Sequence, residues 1–147
     1  MHENGSGYSV ELAARDCQIL LIKNPRKKYE LEFSSMVGGA KRGNREFNFE
    51  GLSYVSDFNT DNSQIILPVE ASEKRNHQIK IRYKGTPSNT FKLIINNKEL
   101  ETIHPENSIS WTYMTVNTSL EKGINYIQIK NKNNKNLQFF VDNLEII

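Results

Sequence analysis

The stretch YELEFSS, residues 29–35, sets Glu30 and Glu32 two positions apart in a run whose apolar residues Tyr29, Leu31 and Phe33 alternate with polar ones. Such alternation predicts a strand, and residues i and i+2 of a strand share one face about 6 to 7 Å apart. Two carboxylates at that spacing repel unless water or a cation lies between them. A third carboxylate comes from the other end of the chain. In LQFFVDNLEII, residues 137–147, the apolar set Leu137, Phe139, Val141 resumes at Leu144 and Ile146, so the alternation breaks at Asp142-Asn143. A parity break inside a strand marks a bulge, which re-aims a side chain, here that of Asp142. Pairing of the first strand with the last would set Asp142 beside Glu30 and Glu32. Three carboxylates with main-chain carbonyls make the oxygen-only ligand set that calcium prefers, at about 2.3 to 2.6 Å per ligand. A solvated face on which acidic residues merely gather is the other outcome these residues allow.

The elements that must carry these residues are strands. HQIKIRYK (77–84), TFKLIINN (90–97), CQILLIK (17–23), SQIILPVE (63–70), ISWTYMTVN (109–117) and NYIQIK (125–130) are short apolar or alternating runs separated by Asn-, Gly-, Lys- and Ser-rich segments, and no stretch shows a helical period. Many short strands with such turns predict an all-β chain folded as a β-sandwich or jelly roll. Asn96-Asn97 suits a tight hairpin, and Gly123 closes LEKG before the next strand. The 147 residues suffice for one domain with a real core. KNPRKK (23–28) is polar, basic and carries Pro25, so residues 25–28 are expected to be a linker and residues 29–147 the domain. Residues 1–24 are then the tail strand of a preceding domain or an extra edge strand.

Composition removes several function classes. A net charge of +2 is no electrostatic footprint for nucleic acid. The longest aliphatic run, ILLI at 19–22, is too short to span a bilayer, so no membrane partner is expected, and MHENGSG has no leader character. One cysteine, Cys17, allows no intrachain disulfide, and its apolar neighbours suggest a buried thiol. His2, His77 and His104 are scattered without the convergent partners that metal or catalytic use requires.

In its order of motifs the chain resembles carbohydrate-binding modules of families 6 and 35, galactose-binding-domain-like sandwiches. YELEFSSMVGGAKR (29–42) resembles their YEAE…GGA opening, GLSYVSDFN (51–59) their GxGYVxGF, and KIRYKG (80–85) their LRYANG. LIINN (93–97) is similar to LYVNG, WTYMTVNTSLEKGINYIQI (111–129) to WxTVxVxVxLxxGxNTIxL, and FVDNLEII (140–147) to NIDYIEV. The resemblance implies a structural calcium held by Glu30, Glu32 and Asp142, with a main-chain carbonyl near Glu50 or Gly51 as fourth donor. It also implies a non-catalytic module that brings a catalytic domain in cis, such as a glycoside hydrolase, to its oligo- or polysaccharide, in a secreted or cell-surface monomer.

A sugar presents an apolar C–H face and a rim of hydroxyls, so its site needs an aromatic platform and amides. The resemblance places that site in end loops and draws on Trp111, Tyr54 and Phe58. Trp111 aligns with the second tryptophan of the family pattern while Ser108 stands where the first is expected, which leaves Trp111 as platform or core residue. KNKNNKN (130–136) offers amides at Asn131, Asn133 and Asn134 and cations at Lys132 and Lys135; with KRGNRE (41–46) it suggests acidic glycans. Two other functions remain open: an enzyme in its own right, which needs two carboxylates across a cleft, and a sandwich of the same type that binds protein.

Overall fold

The computed structural model describes residues 2–4, 7–12, 17–22, 26–58, 60, 62–85, 90–103, 106–132 and 139–147, with side chains from residue 26 onward except those of 90, 101–103 and 132. Asn133, Asn134, Lys135 and His104 therefore lie outside the described residues, as do the side chains of His2, Cys17 and Lys132. No described helix is long and apolar enough to cross a membrane.

Strands β1 (His2–Asn4), β2 (Gly7–Leu12) and β3 (Cys17–Ile22) pair with one another in a small antiparallel sheet. Two larger antiparallel sheets form the sandwich expected from the sequence. One is ordered β11 (Lys98–Ile103), β10 (Thr90–Ile95), β13 (Gly123–Lys132), β8 (Gln64–Ala71), β5 (Ser35–Val37). The other is ordered β12 (Ser108–Leu120), β9 (Arg75–Gly85), β14 (Phe139–Ile146), β7 (Tyr54–Ser56), β6 (Lys41–Gly43), with β4 (Lys27–Glu30) also pairing with β14. Strand β4 begins at Lys27, so two residues of the expected linker are already in register with the last strand.

The period-two runs explain the layers. Ile79, Ile81 and Tyr83 of β9 and Phe139, Val141, Leu144 and Ile146 of β14 share one buried cluster with Ile65, Leu67 and Val69 of β8, Phe91, Leu93 and Ile95 of β10, and Ile127 and Ile129 of β13. Each such side chain contributes about 1.5 to 3 kcal/mol by leaving water. Phe139 lies at the centre, stacked on Phe91 at 4.0 Å and on Tyr83 at 5.7 Å between ring centroids. The hairpin between β10 and β11 turns on Asn96 and Asn97 at φ 51° and 65°, as the Asn pair predicts.

Two irregularities aim the functional residues. The register of β14 against β9 shifts between Val141 and Leu144, which is the bulge expected at Asp142-Asn143. The strand expected over 29–35 instead stops at Glu30 and passes through a 3-10 turn, Leu31–Phe33, before β5. That turn rotates the alternation: Glu32 is buried at 1% exposure, whereas Phe33, expected inside, is 68% exposed.

Candidate functional site

β4 pairs with β14 so that Glu30 lies opposite Asn143, next to Asp142. Glu32 follows on the 3-10 turn, and the loop of residues 44–53, between β6 and β7, closes over all of them. Gly51 in that loop has φ +74°, and a Cβ there would stand 2.6 Å from Glu32 Oε1 and 3.2 Å from Glu30 Oε2. Only glycine lets the backbone take this conformation while passing so close to two carboxylates.

Each of the three carboxylates is satisfied on one oxygen and orphaned on the other. Glu30 Oε1 meets the Lys28 ammonium at 2.8 Å. Glu32 Oε1 accepts the Leu52 N–H at 2.9 Å, and Asp142 Oδ2 accepts the Glu50 N–H at 3.0 Å and an Arg82 guanidinium N–H. Glu30 Oε2, Glu32 Oε2, Asp142 Oδ1 and the neighbouring Asn143 Oδ1 are buried with no hydrogen-bond partner. Buried acceptors left unpaired are destabilising, more so when charged. Four such oxygens gathered at one strand junction have the chemistry a hard cation takes, so the residues fit a calcium ion. Among the described residues, however, no group of three or more acidic, histidine or cysteine side chains is already arranged to hold a metal ion.

The charges agree with that fit. Lys28 pairs with Glu30 and Glu50, Arg82 with Asp142 and, at 3.7 Å, with Glu50. Four carboxylates against these two cations leave two negative charges. Burial pushes the Asp142 carboxyl above its ordinary pKa, against the pull of the Glu50 N–H and Arg82. Glu50 is held below its own by the hydrogen bond from Lys28. Although burial works the other way, Glu30 and Glu50 raise the Lys28 ammonium above the usual lysine range. Glu50 itself is outward-facing, and its backbone N–H reaches Asp142.

Beside the acidic centre, on the outer face of the β12-β9-β14 sheet, lies an aromatic cluster. Tyr54 packs against Phe49, Trp111 and Phe140 with centroids 5.4, 5.7 and 5.3 Å away. The 44–53 loop caps it: Tyr54 Oη accepts the N–H groups of Arg45 and Glu46, Trp111 Nε1 donates to Phe47 O at 2.8 Å, and Lys84 pairs with Glu46.

The structure distributes the expected sugar residues differently from the expectation. Tyr54 is buried in this cluster, and Phe58, 0% exposed, is wedged edge-on between Phe91 and Phe139 in the core, so neither offers a ring face. Asn131 is buried too, its amide donating to Phe58 O and Thr60 O; it ties a loop to β13 instead of facing a ligand. Trp111 is half-buried, lying at a bulge where β12 slips against β9 between Ser108 and Thr112. Next to it a cleft of about 350 Å³ is lined by Tyr83, Glu106, Asn107, Ser108, Thr112 and Tyr113. Sequence reasoning missed Phe47, an aromatic 84% exposed at the loop crest, as well as Lys28, Arg82 and Asn143. The one available signal was Asn143, the second polar residue at the parity break.

No family model matches the sequence, and no curated protein matches it. Solved structures do. A native family 35 carbohydrate binding module from Clostridium thermocellum superposes at a TM-score of 0.77 with 19% identity, over 84% of this chain and 98% of that one. The Podospora anserina GH26-CBM35 beta-(1,4)-mannanase matches at 0.73 with 18% identity, over 84% of this chain, which spans only 28% of the enzyme's length. The cycloalternan-forming enzyme from Listeria monocytogenes, in complex with a pentasaccharide substrate, matches at 0.76 with 20% identity, over 92% of this chain and 13% of its own. The fold is therefore that of the family 35 modules, a two-sheet antiparallel sandwich.

Proposed function

We propose that the chain is a non-catalytic carbohydrate-binding module whose acidic centre holds a structural calcium. One observation supports this reading: in a sandwich of the family 35 type, Glu30, Glu32 and Asp142, the positions the resemblance assigns to calcium, each keep one buried carboxylate oxygen without a hydrogen-bond partner. The ion would supply the missing charge and pin β4, β14 and the 44–53 loop to one another. Glu30 Oε2, Glu32 Oε2, Asp142 Oδ1 and Asn143 Oδ1 are the donors that would hold it.

The glycan seat we place at the Trp111 end of the sandwich. The Trp111 edge, exposed Phe47 and Tyr113 supply C–H-facing aromatic surface. In the adjoining cleft the Asn107 amide, the Ser108, Thr112 and Tyr113 hydroxyls and the Glu106 carboxylate supply partners for sugar hydroxyls. Among the described residues that line the cleft, Glu106 is the one carboxylate, where hydrolysis would need two. The module is read as working beside a glycan-active catalytic domain of the same polypeptide, as a monomer outside the cytoplasm, with residues 1–24 belonging to a neighbouring domain.

A glycan array followed by calorimetry tests the reading. Binding without turnover is expected, and a chain starting at Arg26 should bind as well as the full one. Trp111→Ala should weaken binding by at least about 1 kcal/mol, roughly fivefold. Silence on every glycan would favour a protein-binding sandwich. An observation on the five-stranded sheet speaks for that second reading: Tyr126 and Ile124 are 52% and 58% exposed on its outer face, with exposed Pro68 opposite Tyr126.

A further inference from the structure

Arg82 stands where the acidic centre and the aromatic cluster meet. Its side chain leaves the outer face of β9 and is only 13% exposed. One guanidinium nitrogen, Nη1, bonds Asp142 Oδ2 and lies 3.7 Å from Glu50 Oε1; the other, Nη2, donates to Asn48 O at 2.9 Å. The guanidinium carbon sits 5.3 Å from the centroid of the Trp111 ring. A single planar fork thus touches β14, the 44–53 loop and β12 at once, which a lysine ammonium could not do.

Its effect on Asp142 is specific. Oδ2 is taken by Arg82, the Glu50 N–H and, at 3.2 Å, Asn143 Nδ2, so Oδ1 is the oxygen left facing the centre. Arg82 does not block the cation position; it orients the carboxylate toward it. Asp142 must then divide one negative charge between the guanidinium on Oδ2 and whatever lies against Oδ1. The more Asp142 gives to Oδ1, the weaker its hold on Arg82 and the stronger the relative attraction of Arg82 to the Trp111 ring.

We propose that Arg82 is a positioning residue that makes cation occupancy of the acidic centre and the conformation of the Trp111 face one coupled equilibrium; this rests on the reading of the centre as a divalent-cation site. Coupling of this kind is reciprocal, so a ligand that stacks on Trp111 changes the affinity for the cation by the same factor as the cation changes the affinity for the ligand. Lys28 provides the internal control. It pairs with Glu30 and Glu50, whereas the cation over the Trp111 ring is that of Arg82.

Trp111 is the only tryptophan of the chain, so its emission reports on this face alone. Calcium is titrated into chelator-treated wild-type protein, with emission and calorimetric heat recorded in parallel. Melting is followed with EDTA and with calcium for wild type, Arg82→Gln, Arg82→Lys and Lys28→Gln. The expected result is an emission change whose midpoint coincides with that of the heat. Arg82→Gln should melt lower chiefly in EDTA, where Asp142 loses the Arg82 countercharge, so that its calcium-induced rise in Tm exceeds that of wild type by several degrees. Arg82→Lys should return that rise toward the wild-type value without restoring the emission change, and Lys28→Gln should keep the emission change. Calcium heat with unchanged Trp111 emission, together with an equal Tm rise in Arg82→Gln, overturns the coupling and leaves the cation site standing. Absence of any calcium heat removes both. If Arg82→Gln folds only with calcium the coupling is supported, and if it folds under neither condition the wild-type emission titration decides alone.

Discussion

The two faces of the β12-β9-β14 sheet are built from the same strands and held together by different physics. The inner face, with Ile79, Ile81, Tyr83, Phe139, Val141, Leu144 and Ile146, packs against the second sheet through apolar contact. Burial of that kind is non-directional and asks only that the right size of side chain recur every second residue. One step along the same strands, Arg82, Phe140 and Asp142 face a loop instead of a sheet. There the packing depends on bonds with direction: Tyr54 Oη to two loop N–H groups, Trp111 Nε1 to Phe47 O, Glu50 N–H and Leu52 N–H to carboxylates. Four buried oxygens are still unpaired there. The inner face is closed by apolar packing except at His77, whereas the outer cluster buries charged acceptors that no neighbour satisfies.

The largest effect should come from the inner face. Phe139→Ala removes a ring stacked between Phe91 and Tyr83 and should lower stability by about 3 to 5 kcal/mol. Denaturant titration measures this. The Tm difference between calcium and EDTA should survive, because no atom of the acidic centre is lost. If Phe139→Ala abolished that difference, the two faces would not be separable.

Cation removal should act on the outer face alone and be somewhat smaller. With free calcium a hundredfold above its dissociation constant, linkage gives about 2.7 kcal/mol of stabilisation. Chelation should lower the Tm accordingly, calcium should restore it, and Glu32→Gln should flatten the response while leaving the EDTA melting point near that of wild type. Metal-depleted protein whose Tm ignores both calcium and EDTA would rule the site out.

The same contrast accounts for what the sequence makes legible. Period-two runs reveal the inner face, and the pairing of first and last strands and the Asp142-Asn143 bulge follow from where that period begins and breaks. Glu30, Glu32 and Asp142 can therefore be brought together from sequence alone. The outer cluster has no period to read. The 44–53 loop is positioned by bonds to residues 8 to 93 positions away, such as Glu46 N–H to Tyr54 Oη, Glu50 N–H to Asp142 and the Asn143 amide to Glu50. Local pattern carries no trace of these. The resemblance assigns Tyr54 and Phe58 to the ligand site, and Asn131 belongs to the Asn-rich run that offers amides to a sugar. Burial claims them through aromatic contacts and through amide bonds to Phe58 O and Thr60 O, which span 71 to 73 positions in sequence. Phe33 and Glu32 exchange their expected sides because a 3-10 turn, which no alternation announces, interrupts the strand.

The smallest expected effect concerns a buried polar residue of β9 on the inner side. His77, 8% exposed at the opposite end of β9 from Arg82, has neither ring nitrogen hydrogen-bonded. Burial, reinforced by the charge of Arg75, outweighs the opposite pull of the Ile147 backbone and of Glu73 and depresses its pKa below the usual histidine value. Above about pH 6.5 the imidazole is neutral in folded and unfolded chains alike and contributes no pH dependence. Below it the unfolded chain takes up a proton that the folded one resists, so the unfolded state binds more protons and stability must fall with pH until the depressed folded value is reached. His77→Leu should remove that slope, which urea midpoints at pH 7.5 and 5.5 in saturating calcium would show. Glu50 contributes little over this interval, since its depressed carboxyl loses its stabilising effect only as pH falls through values below 4.5. Asp142, whose raised carboxyl acts in the opposite direction, is common to both proteins and cancels in the difference between their slopes. A His77→Leu slope equal to that of wild type would mean that the acid response arises in the outer cluster instead. EDTA should leave the difference between the two slopes unchanged, because it depends on the inner face alone.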